Sequence, residues 1–221
     1  MIFALPVLLF TISVSAAANS PFLYEWGFTK YKVGSELGID NADLHRVANG
    51  LIGYWNNGAK TFNITVTKDG VPYVLFKDIE VAHLVDVKGL FRLMYKCMLG
   101  SFLYVALFLT AALFWWKDRR LLGVGLMWGA GLSILLMLIL GIMALTDFNW
   151  LFWEFHLVSF TNNFWLLDPS VDYLVVLFPD GFFFDMAMIF SALEIFLALI
   201  LGFIGWRMLK QKPRLTPTNQ V

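Results

Sequence analysis

The sequence predicts an all-α membrane protein: a four-transmembrane-helix bundle with an extracytoplasmic cap of amphipathic helices and a small β-hairpin. Two observations support this prediction. Of the 221 residues, 59% are hydrophobic and only 14% are charged, which leaves too little polar surface to cover a soluble globule. Four stretches are also long and apolar enough to cross the hydrocarbon layer, which takes about 20 helical residues. They are residues 1–24, 92–116, 121–146 and 182–206.

The first stretch shares one feature with a signal peptide. It ends in the small residues Ser15-Ala16-Ala17-Ala18, which a signal peptidase accepts, but it lacks a basic n-region. We expect it to be retained as transmembrane helix 1.

The segment 25–91 is the most polar part of the chain and is expected to form the cap. Within it, 41–55 repeats apolar residues at helical spacing, for example at Leu44, Val47 and Leu51, which predicts an amphipathic helix lying in the membrane interface. Residues 61–67 and 71–77 alternate with period two around an Asp-Gly turn, which predicts a β-hairpin.

Basic residues indicate the orientation. The turn between the second and third spans carries Lys117, Arg119 and Arg120, and the tail 207–221 is basic as well. Since Lys and Arg near span ends are retained on the cytoplasmic side, both termini are expected to be cytoplasmic.

The loop 147–181 has thirteen aromatic residues in and just beyond it and no Lys or Arg, and is expected to lie outside, along the bilayer surface. In this loop, Asp168-Pro169 predicts the start of a short helix.

Lys96, Asp185 and Glu194 are charged and fall inside the predicted spans. Lys96 and Asp185 are expected to pair near the outer surface. Glu194 falls near the bilayer midplane, where an ionised carboxylate costs at least about 2.5 kcal/mol, so it is expected to be neutral, paired or hydrogen-bonded inside the bundle. A structural role is the simpler interpretation for all three.

Two histidines are the best candidates for chemistry. His83 precedes the second span by about nine residues and His156 follows the third by about ten, so both are expected near one membrane surface, where they can meet across a cleft. Imidazole is the usual side chain for moving protons at neutral pH. Asp86, three positions after His83, lies on the same helical face and is expected to orient its ring. The plainer interpretation is two interfacial histidines, each bonded to a backbone carbonyl.

Other nucleophiles are weaker candidates. Ser159 and His156 have the spacing of a nucleophile and its base, but a helical serine usually bonds its own backbone. Cys97 is an acylation candidate, although a membrane cysteine is more often a small apolar filler. As the single cysteine, it excludes an intramolecular disulfide, a cysteine-rich zinc site and paired-thiol chemistry. Nucleic acid is not an expected partner.

The motifs around the histidines resemble those of a known family. His-Leu-Val-Asp-Val-Lys at 83–88, Phe155-His156, Trp-Leu-Leu-Asp-Pro at 165–169 and Phe-Pro-Asp-Gly-Phe-Phe at 178–183 occur in the order seen in the four-span lipoprotein intramolecular transacylase family, Lit. The likeness covers most of the chain and is strongest around both histidines. It implies residence in the bacterial cytoplasmic membrane, with the active site at its extracytoplasmic face.

The resemblance also implies a reaction on diacylated lipoproteins. The sn-2 acyl chain of the diacylglyceryl-modified N-terminal cysteine moves to that cysteine's own α-amino group, giving a lyso-form lipoprotein. His83 and His156 would form the catalytic pair, with Asp86, Asn162, Trp165 and Asp168 in supporting roles and no cofactor required. Membrane lipids would surround the protein and its substrate.

Two alternatives belong to other functional classes. Two outer histidines are able to ligate a b-type haem, although such ligands usually face each other between packed helices. A non-enzymatic lipoprotein-binding or structural subunit is the second, and it would tolerate loss of both histidines.

Overall fold

A computed structural model of the protein describes residues 1–210. The helices are α1 (Ala4–Ala18), α2 (Pro21–Lys30), α3 (Val33–Leu37), α4 (Asn41–Asn56), α5 (Asp78–Thr110), α6 (Arg119–Thr146), α7 (Phe148–Ser159), α8 (Tyr173–Leu177) and α9 (Asp180–Lys210). A π-helical turn, Ala111–Trp115, continues α5. The strands β1 (Thr65–Lys68) and β2 (Val71–Val74) form an antiparallel hairpin.

Within residues 1–210, three helices are each long and apolar enough to cross a membrane: α5, α6 and α9. A fourth crossing requires α1 and α2 together, and these bend by 63° at the break between them. Pro21 is the first residue of α2 and explains the break, because a proline has no N–H with which to continue α1. The first predicted span is therefore a bent pair whose second arm runs on to Lys30.

Helices α6 and α9 form the closest helix pair of the bundle. A Cβ atom on Gly123 would lie 2.9 Å from the carbonyl oxygen of Gly205, and one on Gly205 would lie 2.8 Å from the carbonyl oxygen of Gly123. Small residues at this crossing let the two backbones meet directly, which is how membrane helices gain packing contacts. α1 packs against both helices through a small buried cluster: Leu5, Leu9, Leu126, Ala130 and Ala198.

The cap has its own hydrophobic core, which α4 dominates. Val47 and Leu51 on its apolar face are fully buried. This face packs against the protein's own helices and hairpin, whereas an interfacial helix would turn it towards lipid. Asp40 caps the helix by accepting a hydrogen bond of 2.7 Å from the backbone N–H of Asp43.

The hairpin is shorter than its alternation predicts. Asp69 and Gly70 form the turn, both with positive φ, as a two-residue hairpin turn requires. Beyond the strands, the Asn63 side chain accepts a bond of 3.0 Å from the N–H of Phe76 and donates one of 2.7 Å to its carbonyl. An amide side chain thus replaces the backbone ladder, which ends the sheet early.

Helix α5 is longer than a membrane is thick. Its 33 residues span about 50 Å at about 1.5 Å per residue, whereas the hydrocarbon core measures about 30 Å. Its first turns therefore stand outside the hydrocarbon and join the cap. His83 lies in this outer part.

Asp185 forms a different ion pair from the predicted one. Its carboxylate accepts hydrogen bonds from Lys30 Nζ at 2.6 Å and from the Tyr31 hydroxyl at 2.7 Å, because the second arm of the bent pair brings both to the start of α9. Lys96 is exposed on α5 and makes no ion pair within residues 1–210. The predicted pairing of Lys96 with Asp185 is therefore wrong.

Glu194 is buried in the bundle, with 1% of its surface exposed. Its Oε2 atom is enclosed and has no hydrogen-bond partner within residues 1–210, as is also true of the hydroxyls of Ser13 and Ser133.

Of the predicted basic tail 207–221, Arg207 and Lys210 belong to the last turn of α9, while residues 211–221 lie outside the described residues.

Candidate active site

The first turn of α5 is held in place by Glu80, which is fully buried. One carboxylate oxygen accepts a hydrogen bond of 2.8 Å from the N–H of Lys77, and the other accepts one of 2.6 Å from the N–H of Leu174 in α8. Burial raises the pKa of Glu80, although both backbone bonds oppose this. Since His83 is one turn further on, Glu80 fixes the position of that histidine relative to α8.

Lys88 fixes the next part of α5. Its ammonium group donates to the side-chain oxygen of Asn57 at 3.0 Å and to the carbonyl of Ala59 at 2.8 Å, and lies 3.8 Å from the centroid of the Tyr54 ring. The residue is 2% exposed, and burial lowers its pKa. Lys88 thus ties α5 to the end of α4.

His156 lies in α7, a short helix that begins one residue after α6 ends. Asp147 separates the two helices and caps α7 by accepting a bond of 3.0 Å from the N–H of Trp150. His156 Nδ1 lies 2.6 Å from the carbonyl oxygen of Phe152, one turn earlier. A carbonyl oxygen only accepts, so Nδ1 carries the proton and a neutral ring has a free lone pair at Nε2.

The two histidines lie side by side, as the matching depths predicted. Their ring centroids are 6.1 Å apart and the ring planes differ by 28°. Phe160 packs against both rings, with centroid distances of 5.1 Å to His83 and 5.6 Å to His156. Trp165 covers His156 at 5.0 Å, and Phe152 meets the same ring edge-on at 4.5 Å. The pair therefore sits in an aromatic enclosure.

This enclosure keeps both rings neutral. Burial, with a smaller effect of the neighbouring His156, lowers the pKa of His83 to about 4, while Asp86 opposes the shift. Burial also lowers the pKa of His156, against the opposing effects of the Phe152 carbonyl and Asp180. At pH 7 both imidazoles are uncharged, which is the form that takes up a proton or donates an N–H to a developing anion.

Asp86 does not orient the His83 ring. Its carboxylate accepts a hydrogen bond of 2.8 Å from the side-chain amide of Asn162, and His83 Nδ1 is buried without a hydrogen-bond partner within residues 1–210. The helical spacing predicted the right face of α5, but the tertiary fold brings Asn162 to the carboxylate. Asp86 and Asn162 form part of the wall of a cavity of about 290 Å³ between α5 and the end of α7.

Trp165 contacts His156, whereas Asp168 is part of a turn. Trp165 packs between His156 and Trp153, whose ring centroid is 4.7 Å away. Asp168 closes a turn by accepting bonds from the N–H of Ser170 at 2.8 Å and from its hydroxyl at 2.7 Å. The helix predicted to start at Asp168 begins at Tyr173 instead, because these bonds form a turn first.

Neither alternative nucleophile is activated. Ser159 lines the cavity but makes no hydrogen bond to His156 within the described part of the chain. Cys97 is exposed on α5, inside the predicted span and about 14 residues, or roughly 21 Å along the helix, from His83.

Sequence reasoning assigned no role to Glu80 or to Lys88, although Lys88 ends the His-Leu-Val-Asp-Val-Lys motif. Both are charged, yet they are among the least exposed residues of the cap. Glu80 lies three residues after Lys77, the residue before α5, which is the spacing of the acidic half of a capping box. This spacing could have predicted that Glu80 caps the helix. No local pattern indicates the contact of Lys88 with Tyr54.

The comparisons with known proteins agree on one family. The family described as "Lipoprotein intramolecular transacylase Lit" matches residues 1–183. The crystal structure of the membrane integral lipoprotein intramolecular transacylase Lit from Bacillus cereus is similar, with a TM-score of 0.79 at 18% identity over 94% of this chain and 91% of that chain.

Two further structures of the same Bacillus cereus protein are also similar, one with a histidine mutated to arginine and one with a histidine mutated to alanine. Each has a TM-score of 0.73 at 17% identity, over 94% of this chain and 88% or 89% of that chain. No curated protein sequence matches significantly. These likenesses confirm the predicted all-α membrane fold.

Proposed function

Since the chain belongs to the lipoprotein intramolecular transacylase family, Lit, we propose that His83 and His156 carry out its acyl transfer. The substrate is a lipoprotein whose N-terminal cysteine bears a diacylglyceryl group. The sn-2 acyl chain leaves its ester and forms an amide with the α-amino group of the same cysteine. The observation that supports this assignment best is the pairing of the two neutral rings, 6.1 Å apart, with Nε2 of His156 free to accept a proton.

His156 acts as the base in this proposal. An α-ammonium group has a pKa of about 7.7 and must lose a proton before its nitrogen attacks an ester. The free lone pair on Nε2 accepts that first proton and passes it to water. It then takes a second proton from the nitrogen as the amine attacks, and the hydrogen bond from Nδ1 to the Phe152 carbonyl helps to stabilise the imidazolium that forms. When the C–O bond of the ester breaks, the imidazolium returns the proton to the departing glycerol oxygen.

His83 acts as the electrophilic partner. Attack turns the ester carbonyl into an oxyanion, which an N–H donor in a water-poor site stabilises strongly. A proton on His83 Nδ1 would be a buried donor without an acceptor, which favours the tautomer with its proton on Nε2. A pKa of about 4 also keeps this histidine from competing as the base.

Direct transfer requires no covalent acyl-enzyme. Donor and acceptor belong to one molecule, so holding the glycerol group in an attack conformation supplies much of the rate. The neutral pair then moves a single proton from nitrogen to oxygen. The two candidate nucleophiles, Ser159 and Cys97, have no role in this scheme.

The position of the site suits a lipid substrate. The outer side of α7 is apolar and exposed, with Val158 87% and Leu157 51% exposed. Such a surface suits the acyl chains and membrane lipids around the substrate. The basic residues between α5 and α6 and at the end of α9 support cytoplasmic termini, which leaves the histidines on the extracytoplasmic face of the cytoplasmic membrane.

Fragmentation mass spectrometry of a lipoprotein's N-terminal peptide, with and without the protein, tests this function. The enzyme should convert a diacyl peptide with a free amine into one with an amide and a free glycerol hydroxyl. A protein that binds lipoproteins without this conversion would be a structural subunit, and one with a Soret absorption band would be a haem protein.

A further inference from the structure

The cavity beside the histidine pair has a carboxylate in its wall that the transfer mechanism above does not use. We propose that Asp86 binds the α-ammonium group of the lipoprotein's N-terminal cysteine, and so selects a free amine over an amide. This inference rests on the proposed function and adds a positioning residue to it.

The cavity lies beside the histidine pair, with Phe160 in its wall and in contact with both rings. One wall comes from α5, where Asp86 follows His83 by one turn, and the other from Ser159–Asn162, which follow His156. One turn of helix advances about 5 Å, and Asp86 is close enough to His83 to oppose the lowering of that histidine's pKa. A Cβ atom on Gly89 would meet nothing within 4 Å, which shows that this part of the wall is open.

The Asp86 carboxylate has room for a cation. Asn162 donates to Oδ2 alone, and within residues 1–210 no Lys, Arg or His nitrogen lies within 4 Å of either oxygen. Lys88, two residues away, is buried in contacts with Asn57 and Ala59. Residues 147–185, which supply the facing wall, contain no Lys or Arg.

An α-ammonium group complements this arrangement. It carries one positive charge and several N–H donors, and hydrogen bonds between charged groups are the stronger ones. Asn162 holds the carboxylate in one orientation, so the ammonium meets a fixed acceptor. The cation at the N-terminus of the substrate is thus placed next to the base that deprotonates it.

The sign of the electrostatic effect determines which kinetic constant responds. A carboxylate stabilises the ammonium and opposes its deprotonation, so Asp86 contributes to binding and orientation and not to the reactivity of the amine. Loss of the charge should therefore raise KM without lowering kcat. The product carries a neutral amide and loses the ion pair, which favours its release.

Dead-end analogues test this directly. A diether analogue of the diacylglyceryl peptide has no transferable acyl chain, and it is made with a free amine or with an acetylated amine. Near pH 6.5 most of the free amine is protonated. For the wild-type protein, the free-amine analogue should inhibit about 10-fold more strongly than the acetylated one.

Asp86→Asn should reduce the ratio of the two inhibition constants, acetylated over free amine, to about one. The amide keeps the bond to Asn162 but removes the charge. Asp86→Glu should restore much of the ratio. Glu154→Gln is the matched control, since Glu154 lies on α7 outside the cavity, and it should retain the wild-type ratio. Melting temperatures of all variants should stay close to that of the wild type.

An unchanged ratio in Asp86→Asn would overturn the proposal, as would a loss of kcat at constant KM. Neither result would affect the proposed function, which turnover of the diester substrate by the wild-type protein tests separately. If wild-type protein does not convert the diester at all, the function fails whatever the ratio.

Discussion

The Nδ1 atom of His156 lies 2.6 Å from the carbonyl oxygen of Phe152, one turn earlier in α7. This single contact fixes the tautomer of the ring and turns Nε2 into a proton acceptor. It also distinguishes His156 from His83, whose Nδ1 has no hydrogen-bond partner within residues 1–210. The two rings therefore have different chemical roles although they lie in one enclosure.

His156→Asn should abolish acyl transfer without unfolding the protein. The asparagine amide is able to donate to the Phe152 carbonyl as Nδ1 does, but it offers no base. We expect a loss of about 10²- to 10⁴-fold in rate, the usual effect of removing a positioned base. Initial rates and melting temperatures in detergent check this, and a variant with more than about a tenth of the wild-type rate would exclude His156 as the base.

Glu80→Ala should differ from the histidine variants by destabilising the fold. Its loss leaves the N–H groups of Lys77 and Leu174 without partners, and the buried N–H of Leu174 alone costs about 1–3 kcal/mol. Glu80→Gln keeps one acceptor oxygen and should cost less. Chemical denaturation of both variants measures the difference, and equal stability of Glu80→Ala and wild type would show that α5 does not depend on this cap.

Acid should destabilise the wild-type protein through His83. Its pKa is about 4 in the folded protein and about 6.5 when unfolded, so the unfolded state binds more protons between these values. The neutral His83 ring therefore contributes its full share of the free energy of unfolding above pH 6.5, and this contribution is lost as the pH falls towards 4.

Protonation of His83 lowers the free energy of unfolding by about 3 kcal/mol at most. His83→Gln lacks the titrating ring, so its melting temperature should fall less than that of the wild type between pH 7 and pH 4.5. Parallel curves for the two proteins would contradict the assignment of the shift to His83.

Cys97→Ala and Ser159→Ala should both remain active. Direct transfer from ester to amine needs no enzyme nucleophile, and neither residue has an activating partner within residues 1–210. Turnover within about threefold of wild type is expected. Mass spectrometry of the intact protein after brief exposure to substrate provides the check, since an acyl adduct on either residue would establish a two-step mechanism.

Local patterns in the sequence predicted the helices and the approach of the two histidines. Only neighbouring residues are needed to recognise the four apolar stretches and the helical period of α4. The same is true of the distance of His83 and His156 from the ends of their spans. Long-range contacts could not be predicted in this way. The bond from Leu174 to Glu80 joins residues 94 positions apart, and the pair of Lys30 with Asp185 joins residues 155 positions apart.

Two expectations failed for a shared reason. The spacing of Asp86 suggested a contact with His83, and Asp168-Pro169 suggested a helix start. In both cases the carboxylate bonds to a competing donor: Asp86 accepts from Asn162, which is distant along the chain, and Asp168 accepts from Ser170 in a local turn. Periodicity does not predict which of several nearby donors a short polar side chain will bond. The break before Pro21, in contrast, carries a local signal in the proline itself.

Intramolecular transfer leaves the mass of the lipoprotein unchanged, so the most direct test uses a substrate with two different acyl chains. A diacylglyceryl peptide with palmitoyl at sn-1 and oleoyl at sn-2 is incubated with the protein and fragmented. We predict oleoyl on the α-nitrogen, palmitoyl retained on glycerol and no change in total mass. Palmitoyl on the nitrogen, or a product heavier by one acyl chain, would contradict the sn-2 intramolecular transfer.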